Sequence, residues 1–116
     1  MNLNTSELSR IIIEALEDKK GEDIVLIDIN EIADFASYFI ICSGTSVRML
    51  DALADHVVDT VKPLIHFRPK TEGKPEDGWL VLDIGDIIVH LFTPDQRNYY
   101  KLEELWSEGK VLLHVQ

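Results

Sequence analysis

Two six-residue runs on either side of Gly85-Asp86 leave one fold for this stretch, a tight β-hairpin. Both runs, 79–84 and 87–92, are rich in aliphatic, β-branched and aromatic residues that suit a pleated strand. A glycine in first place of a two-residue turn supplies the positive φ that joins two strands with the correct twist. That turn sets the register, so Ile84 opposes Ile87 and Trp79 opposes Phe92. Strand side chains alternate between faces. One face therefore carries Leu80, Leu82, Ile84, Ile87, Val89 and Leu91, which is wholly aliphatic and expected in the core. The other carries Trp79, Val81, Asp83, Ile88, His90 and Phe92. A second core face seldom holds an acid and an imidazole, and a solvent face seldom holds Trp and Phe. Aromatics beside a few polar groups are what interface centres use. The competing reading is that the last helix covers this face while Asp83 pairs with His90 internally.

The rest of the chain supplies layers for such a hairpin. Leu8, Ile11, Ile12, Ala15 and Leu16 recur at helical spacing. Asn4 is placed to cap that helix with Glu7 three residues on, and Gly21 to stop it. Residues 24–29 and 38–42 read as strands, the second buried. The connection 30–37 is too short for a parallel crossover. Ser43-Gly44-Thr45-Ser46 turns into a second helix whose apolar stripe is Val47, Leu50, Leu53, Ala54, Val57, Val58 and Val61. Pro63 ends it, and it is long enough to serve as a crossover. A short strand is expected over 64–68 and an exposed loop over 69–78. After the hairpin, Thr93 is expected as a helix cap, Pro94 as the first helical residue and Gln96 as the capping-box partner. Tyr99, Leu102, Leu105 and Trp106 form an apolar stripe, Gly109 ends the segment, and 111–115 reads as extended. The expectation is one α/β domain over residues 1–116, a mixed sheet with helices packed on it.

Charge narrows the function. Acidic residues number 21 against 11 basic, a formal net charge of −10. Nucleic-acid binding draws its affinity from Lys and Arg, so direct nucleic-acid readout is disfavoured, as is an anionic membrane surface. A basic protein partner suits this charge, although acidity also serves solubility alone. The single cysteine, Cys42, permits no internal disulfide and sits in an apolar strand, as an inert core thiol would. No Cys/His cluster suggests zinc. The start Met1-Asn2-Leu3-Asn4 lacks the parts of a signal peptide, and no apolar run reaches membrane length. A cytoplasmic setting is expected.

Asp28, Asp83 and Asp86 lie near strand ends, where carboxylates can hold Mg²⁺ for phosphoryl transfer. The plainer roles are turn former and strand terminator, and no P-loop or GxGxxG accompanies them. The 43–46 turn suits a helix cap better than an anion site. His56, His66, His90 and His114 show no metal-ligand spacing, and no GxSxG elbow supports a triad. No enzyme and no cofactor is expected.

The hairpin run Trp79-Leu80-Val81-Leu82-Asp83-Ile84-Gly85-Asp86-Ile87-Ile88-Val89-His90-Leu91-Phe92 resembles the signature of the ribosomal silencing factor family, also called Iojap-like proteins. Arg97, Tyr100, Leu102-Glu103 and Leu105-Trp106 match that family's R-x-x-Y-x-L-E-x-L-W ending. Upstream, Phe39-Ile40-Ile41-Cys42-Ser43-Gly44-Thr45-Ser46, Ala54-Asp55-His56-Val57 and the strand over 23–28 also match, so the resemblance runs from the first helix to Trp106. Ser37 departs from it, where members often carry Asp. The resemblance implies a nucleotidyltransferase-like α/β fold without the catalytic site: Ser43-Gly44 leads into a helix with no paired-acid strand following. It implies binding to the large ribosomal subunit through its fourteenth protein (uL14), steric exclusion of the small subunit, repressed translation when nutrients are scarce, and a homodimer when free. Carried over residue by residue, Trp79 would be the aromatic anchor. Asp83, Asp86, Glu103 and Glu104 would supply negative charge, and His90, Arg97 and Tyr100 would shape or support the patch.

Overall fold

The computed structural model describes residues 3–115. Asn4 caps α1 (Thr5–Asp18) by accepting the Glu7 amide at 2.8 Å, which satisfies one of the donors a helix start leaves free. The helix stops differently from expectation. Lys20, at φ 61°, makes the left-handed turn, and Gly21 is required instead for space, because a Cβ there would lie 2.6 Å from Cys42 Sγ. The chain then forms β1 (Glu22–Asp28) and β2 (Tyr38–Ser43), which pair antiparallel across their short connection.

Ser46 caps α2 (Val47–Val61), its hydroxyl accepting the Met49 amide at 3.1 Å. The expected strand over 64–68 does not form. The Leu64 and Ile65 amides both donate back to the Val61 carbonyl, so the chain leaves the helix in tight turns. The expected loop over 69–78 contains β3 (Lys70–Lys74), whose side chains are all exposed, followed by a 3-10 turn at Pro75–Asp77. A strand with no buried side has no apolar alternation to betray it; backbone pairing to β4 holds it in place.

The hairpin forms in the expected register. β4 (Trp79–Ile84) and β5 (Ile87–Phe92) pair Trp79 with Phe92 and Ile84 with Ile87, and Gly85 sits at φ 69°. β5 then pairs parallel with β2, the crossover running through α2. Two short helices follow, α3 (Pro94–Tyr100) and α4 (Leu102–Leu105), separated by Lys101 at φ 49°. Thr93 holds the cap position, but its side chain makes no capping bond and the expected box with Gln96 is not closed. Both side chains pack over Gly78 instead. The expected stripe is also split: Leu102 is buried and Trp106 partly so, whereas Tyr99 is 78% exposed. The Leu105 side chain lies outside the described residues. β6 (Lys110–Val115) closes the six-stranded mixed sheet, in the order β3-β4-β5-β2-β1-β6.

Helices α1 and α2 cover one face of this sheet. Leu80, Leu82, Ile84, Ile87, Val89 and Leu91 pack there against residues such as Leu16, Leu50, Leu53 and Val57. Each fully buried side chain of this kind contributes roughly 1.5–3 kcal/mol. The second face carries Val25, Ile27, Phe39, Ile41 and Phe92. Ile29, Ala33, Ala36, Leu102 and Trp106, from the β1–β2 connection and the segment after β5, pack over it. No helix among the described residues is long and apolar enough to cross a membrane.

Candidate partner-binding site

The thinly roofed face holds a line of aromatic rings. Trp79 stacks on its cross-strand partner Phe92 at 5.0 Å, and Tyr100, the last residue of α3, leans on the indole at 4.5 Å. Farther along, Trp106 meets Phe39 edge-on at 4.9 Å, with Phe35 beside both. The rings shield one another unequally: Phe92 and Phe39 are buried, whereas Tyr100 remains 39% exposed.

The polar groups of this face do not pair as the competing reading required. Val81, not Asp83, opposes His90, and the Asp83 carboxylate accepts the Gly85 amide at 3.1 Å inside its own turn. His90 instead accepts from Trp79, with Nε1 and Nδ1 3.2 Å apart. This is a diagonal cross-strand contact of the kind aromatic side chains can span. An indole N–H can only donate, so the imidazole proton resides on Nε2. Burial lowers the His90 pKa from 6.5 to about 4, and the ring is neutral at pH 7. Nε2 has no partner among the described residues, a cost of about 1–3 kcal/mol for a buried donor. The bond to His90 turns the indole N–H inward.

Arg97, 7% exposed, anchors the neighbouring helices. Its Nη1 donates to the Asp23 carbonyl and, at 2.9 Å, to Ser43 Oγ. Nε donates to Glu103 Oε1 at 3.1 Å, and Nη2 lies 3.6 Å from Asp23 Oδ2. His114 of β6 meets the other Asp23 oxygen. One guanidinium fork thus ties α3 to β1, β2 and α4, using donors in fixed directions as lysine could not. A seven-residue helix would be marginal alone.

The residues singled out from the sequence therefore divide. Trp79, His90 and Tyr100 form one patch. Arg97 and Glu103 form the clamp beside it, with Glu104 exposed at its rim. Asp83 is partly spent on its turn. Asp86 lies at the far end of the hairpin, about 17 Å from Trp79 by strand rise, where its carbonyl accepts the Ser37 and Tyr38 amides. Two acids that the sequence did not suggest lie closer. Glu72 and Asp77, with Gly73, Val81 and Gln96, line a groove of about 520 Å³ against Trp79 and Tyr100. Their signal was hidden because the stretch read as a loop. Only glycine fits at position 73, where φ is 95° and a Cβ would lie 2.5 Å from the Trp79 carbonyl oxygen.

Asp28, like Asp83, gives an oxygen to a local turn, accepting the Asn30 amide at 2.9 Å. Among the described residues no three His, Cys, Asp or Glu side chains converge on a possible metal position. Cys42 is buried, and desolvation pushes its pKa up to about 12, which keeps the thiol protonated and unreactive.

Comparison with known proteins agrees over nearly the whole chain. Residues 2–115 match the family described as ribosomal silencing factor during starvation. A ribosomal silencing factor of Bacillus subtilis is 37% identical over 107 residues, 92% of this chain and 91% of that protein. A mouse protein named for mitochondrial assembly of the ribosomal large subunit is 36% identical over 84% of this chain and 44% of its own length. A crystal structure of a Chromobacterium violaceum protein superposes with a TM-score of 0.85 at 35% identity, covering 90% of this chain and 88% of that one.

Proposed function

Because the chain belongs to the ribosomal silencing factor family, we propose that it binds the large ribosomal subunit through its fourteenth protein (uL14) and thereby blocks joining of the small subunit. The observation that carries this reading is the Trp79–Tyr100 patch, an aromatic pair on a sheet face that the protein's own helices leave partly open. Aromatic anchors of this kind dominate interface energetics, and a net charge of −10 favours a basic partner. The mechanism is steric: the bound protein occupies the joining surface and represses translation when nutrients are scarce. No bond is made or broken, no nucleic-acid sequence is read, and the setting is the cytoplasm.

Sedimentation with purified large subunits tests this. Wild-type protein is expected to pellet with them and to lower the yield of joined ribosomes when small subunits are added. A Trp79→Ala, Tyr100→Ala variant, checked for folding by its melting curve, is expected to bind at least about thirtyfold more weakly, the size of a hot-spot loss. Wild-type affinity in that variant would remove the site.

The free protein also pairs with itself in this reading. Support comes from β6, an edge strand with Val111, Leu112 and Leu113 all exposed, since open apolar edges invite pairing. Light scattering that returned a monomer at high concentration would count against it.

A further inference from the structure

We propose that the groove between β3 and Tyr100 is a socket for one cationic side chain, arginine or lysine, of the basic protein that this face meets. The inference rests on the binding reading above and names the chemistry that reading leaves open. Trp79 and Tyr100 line the groove together. Because the Trp79 N–H is bonded to His90, the half-buried indole offers ring carbons and no hydrogen-bond donor to whatever enters beside Tyr100. Trp is the strongest aromatic partner for a cation. Two acidic residues line the groove as well. Glu72 lies across from Val81 on β3, and Asp77 ends the 3-10 turn. The ion pairs found among the described residues use Asp18, Asp23 and Glu103, and neither of these two acids. Lys70 and Lys74 flank Glu72 at alternate strand positions, but neither lines the groove.

The shape is prearranged. Gly73 rests against the Trp79 carbonyl, and the Thr93 amide donates to the Gly78 carbonyl at 3.0 Å. These contacts hold β3, the 3-10 turn and the start of α3 around one opening. An open groove of about 520 Å³ admits a long, unbranched side chain. An apolar occupant would leave both acids facing it unpaired, and an anion would be repelled by them. A guanidinium or ammonium suits the aromatic rings and the acids at once.

The test uses the full chain. In sedimentation with large subunits, Glu72→Gln, Asp77→Asn is expected to weaken binding tenfold or more and to flatten its salt dependence. A control with the same charge change on the far side of the sheet, Glu14→Gln, Glu17→Gln in α1, is expected to stay within twofold of wild type. Equal losses in both variants, or none in the first, would overturn the socket. If wild type itself fails to pellet, the ribosome reading fails, and a second arm decides the socket alone. Titration with a tetra-arginine peptide is expected to shift the Trp79 indole N–H resonance saturably in wild type and not in Glu72→Gln, Asp77→Asn. An unmoved wild-type resonance, or the same shift in the variant, would overturn it.

Discussion

The two faces of the sheet are built from the same strands and differ in almost everything else. Toward α1 and α2, every β4 and β5 side chain is aliphatic and at most 2% exposed. Toward the other side, the alternate residues of the same strands mix Trp, Phe, His and Asp with Val81 and Ile88, and the roof is the β1–β2 connection and two helices of seven and four residues. Burial on the first face comes from long helices laid across several strands. On the second it comes from rings leaning on rings and from one guanidinium that pins the roof. The second keeps a neutral histidine whose N–H has no partner among the described residues and a tyrosine that is 39% exposed, and it is the face proposed above to meet a partner.

The contrast breaks most sharply if a first-face residue is cut back. Leu82 is fully buried between strand and helices. Leu82→Ala is expected to cost about 2–5 kcal/mol, measured by the urea midpoint at unchanged slope, while the folded fraction still binds as wild type.

Acid separates the faces next. His90 titrates at about 4 in the fold against 6.5 ordinarily, because of its burial. The unfolded chain therefore takes up the proton first as pH falls. The associated stability is complete above pH 6.5 and declines as pH drops toward 4, by on the order of 3 kcal/mol in all. Urea unfolding at several pH values should show this decline in wild type and lose that component in His90→Gln. An unchanged slope in the variant would show that some other group governs acid sensitivity.

How legible these faces were in the sequence follows the same division. The β4–β5 register could be read because a two-residue Gly-Asp turn and a period of two leave no freedom, and the cap at Asn4 because its side chain acts within three residues; for the second helix the 43–46 turn was legible as a cap, but not that Ser46 makes the bond. The β3 strand could not be read, since all its side chains are exposed and only backbone bonds hold it. Nor could the break at Lys101, because a lysine at positive φ carries no turn signature and is held there by its surroundings. Grouping Asp86 with Trp79 followed their nearness in the chain, whereas the hairpin sets them at opposite ends. The Trp79–His90 bond was half visible: alternation put both on one face, but a diagonal contact depends on side-chain direction.

Arg97 offers a smaller effect that tests the pinned roof. Arg97→Met keeps much of the side-chain volume and removes all four contacts to Asp23, Ser43 and Glu103. Asp23 and Glu103 are partly solvated and tolerate the loss, leaving a cost of about 1–3 kcal/mol from the unpaired buried groups. Amide exchange should rise in 94–106 by more than the global loss of stability predicts. A uniform rise across the sheet would mean that the roof and the sheet open as one unit.

The smallest expected change sharpens the line between support and working surface within the roof itself. Tyr99 and Tyr100 are neighbours with rings edge-on at 5.0 Å, yet Tyr99 is 78% exposed while Tyr100 bears on Trp79. Tyr99→Ala should alter stability by no more than about 0.5 kcal/mol, as surface substitutions do. Tyr100→Ala removes ring contacts to Trp79 and Phe92, and aromatic pairs contribute about 0.5–1.5 kcal/mol each. Thermal melts of the two single variants should therefore separate by a clear step. A Tyr99→Ala loss as large as that of Tyr100→Ala would place Tyr99 within the roof's packing, and the open part of this face would then begin at Tyr100 and not before it.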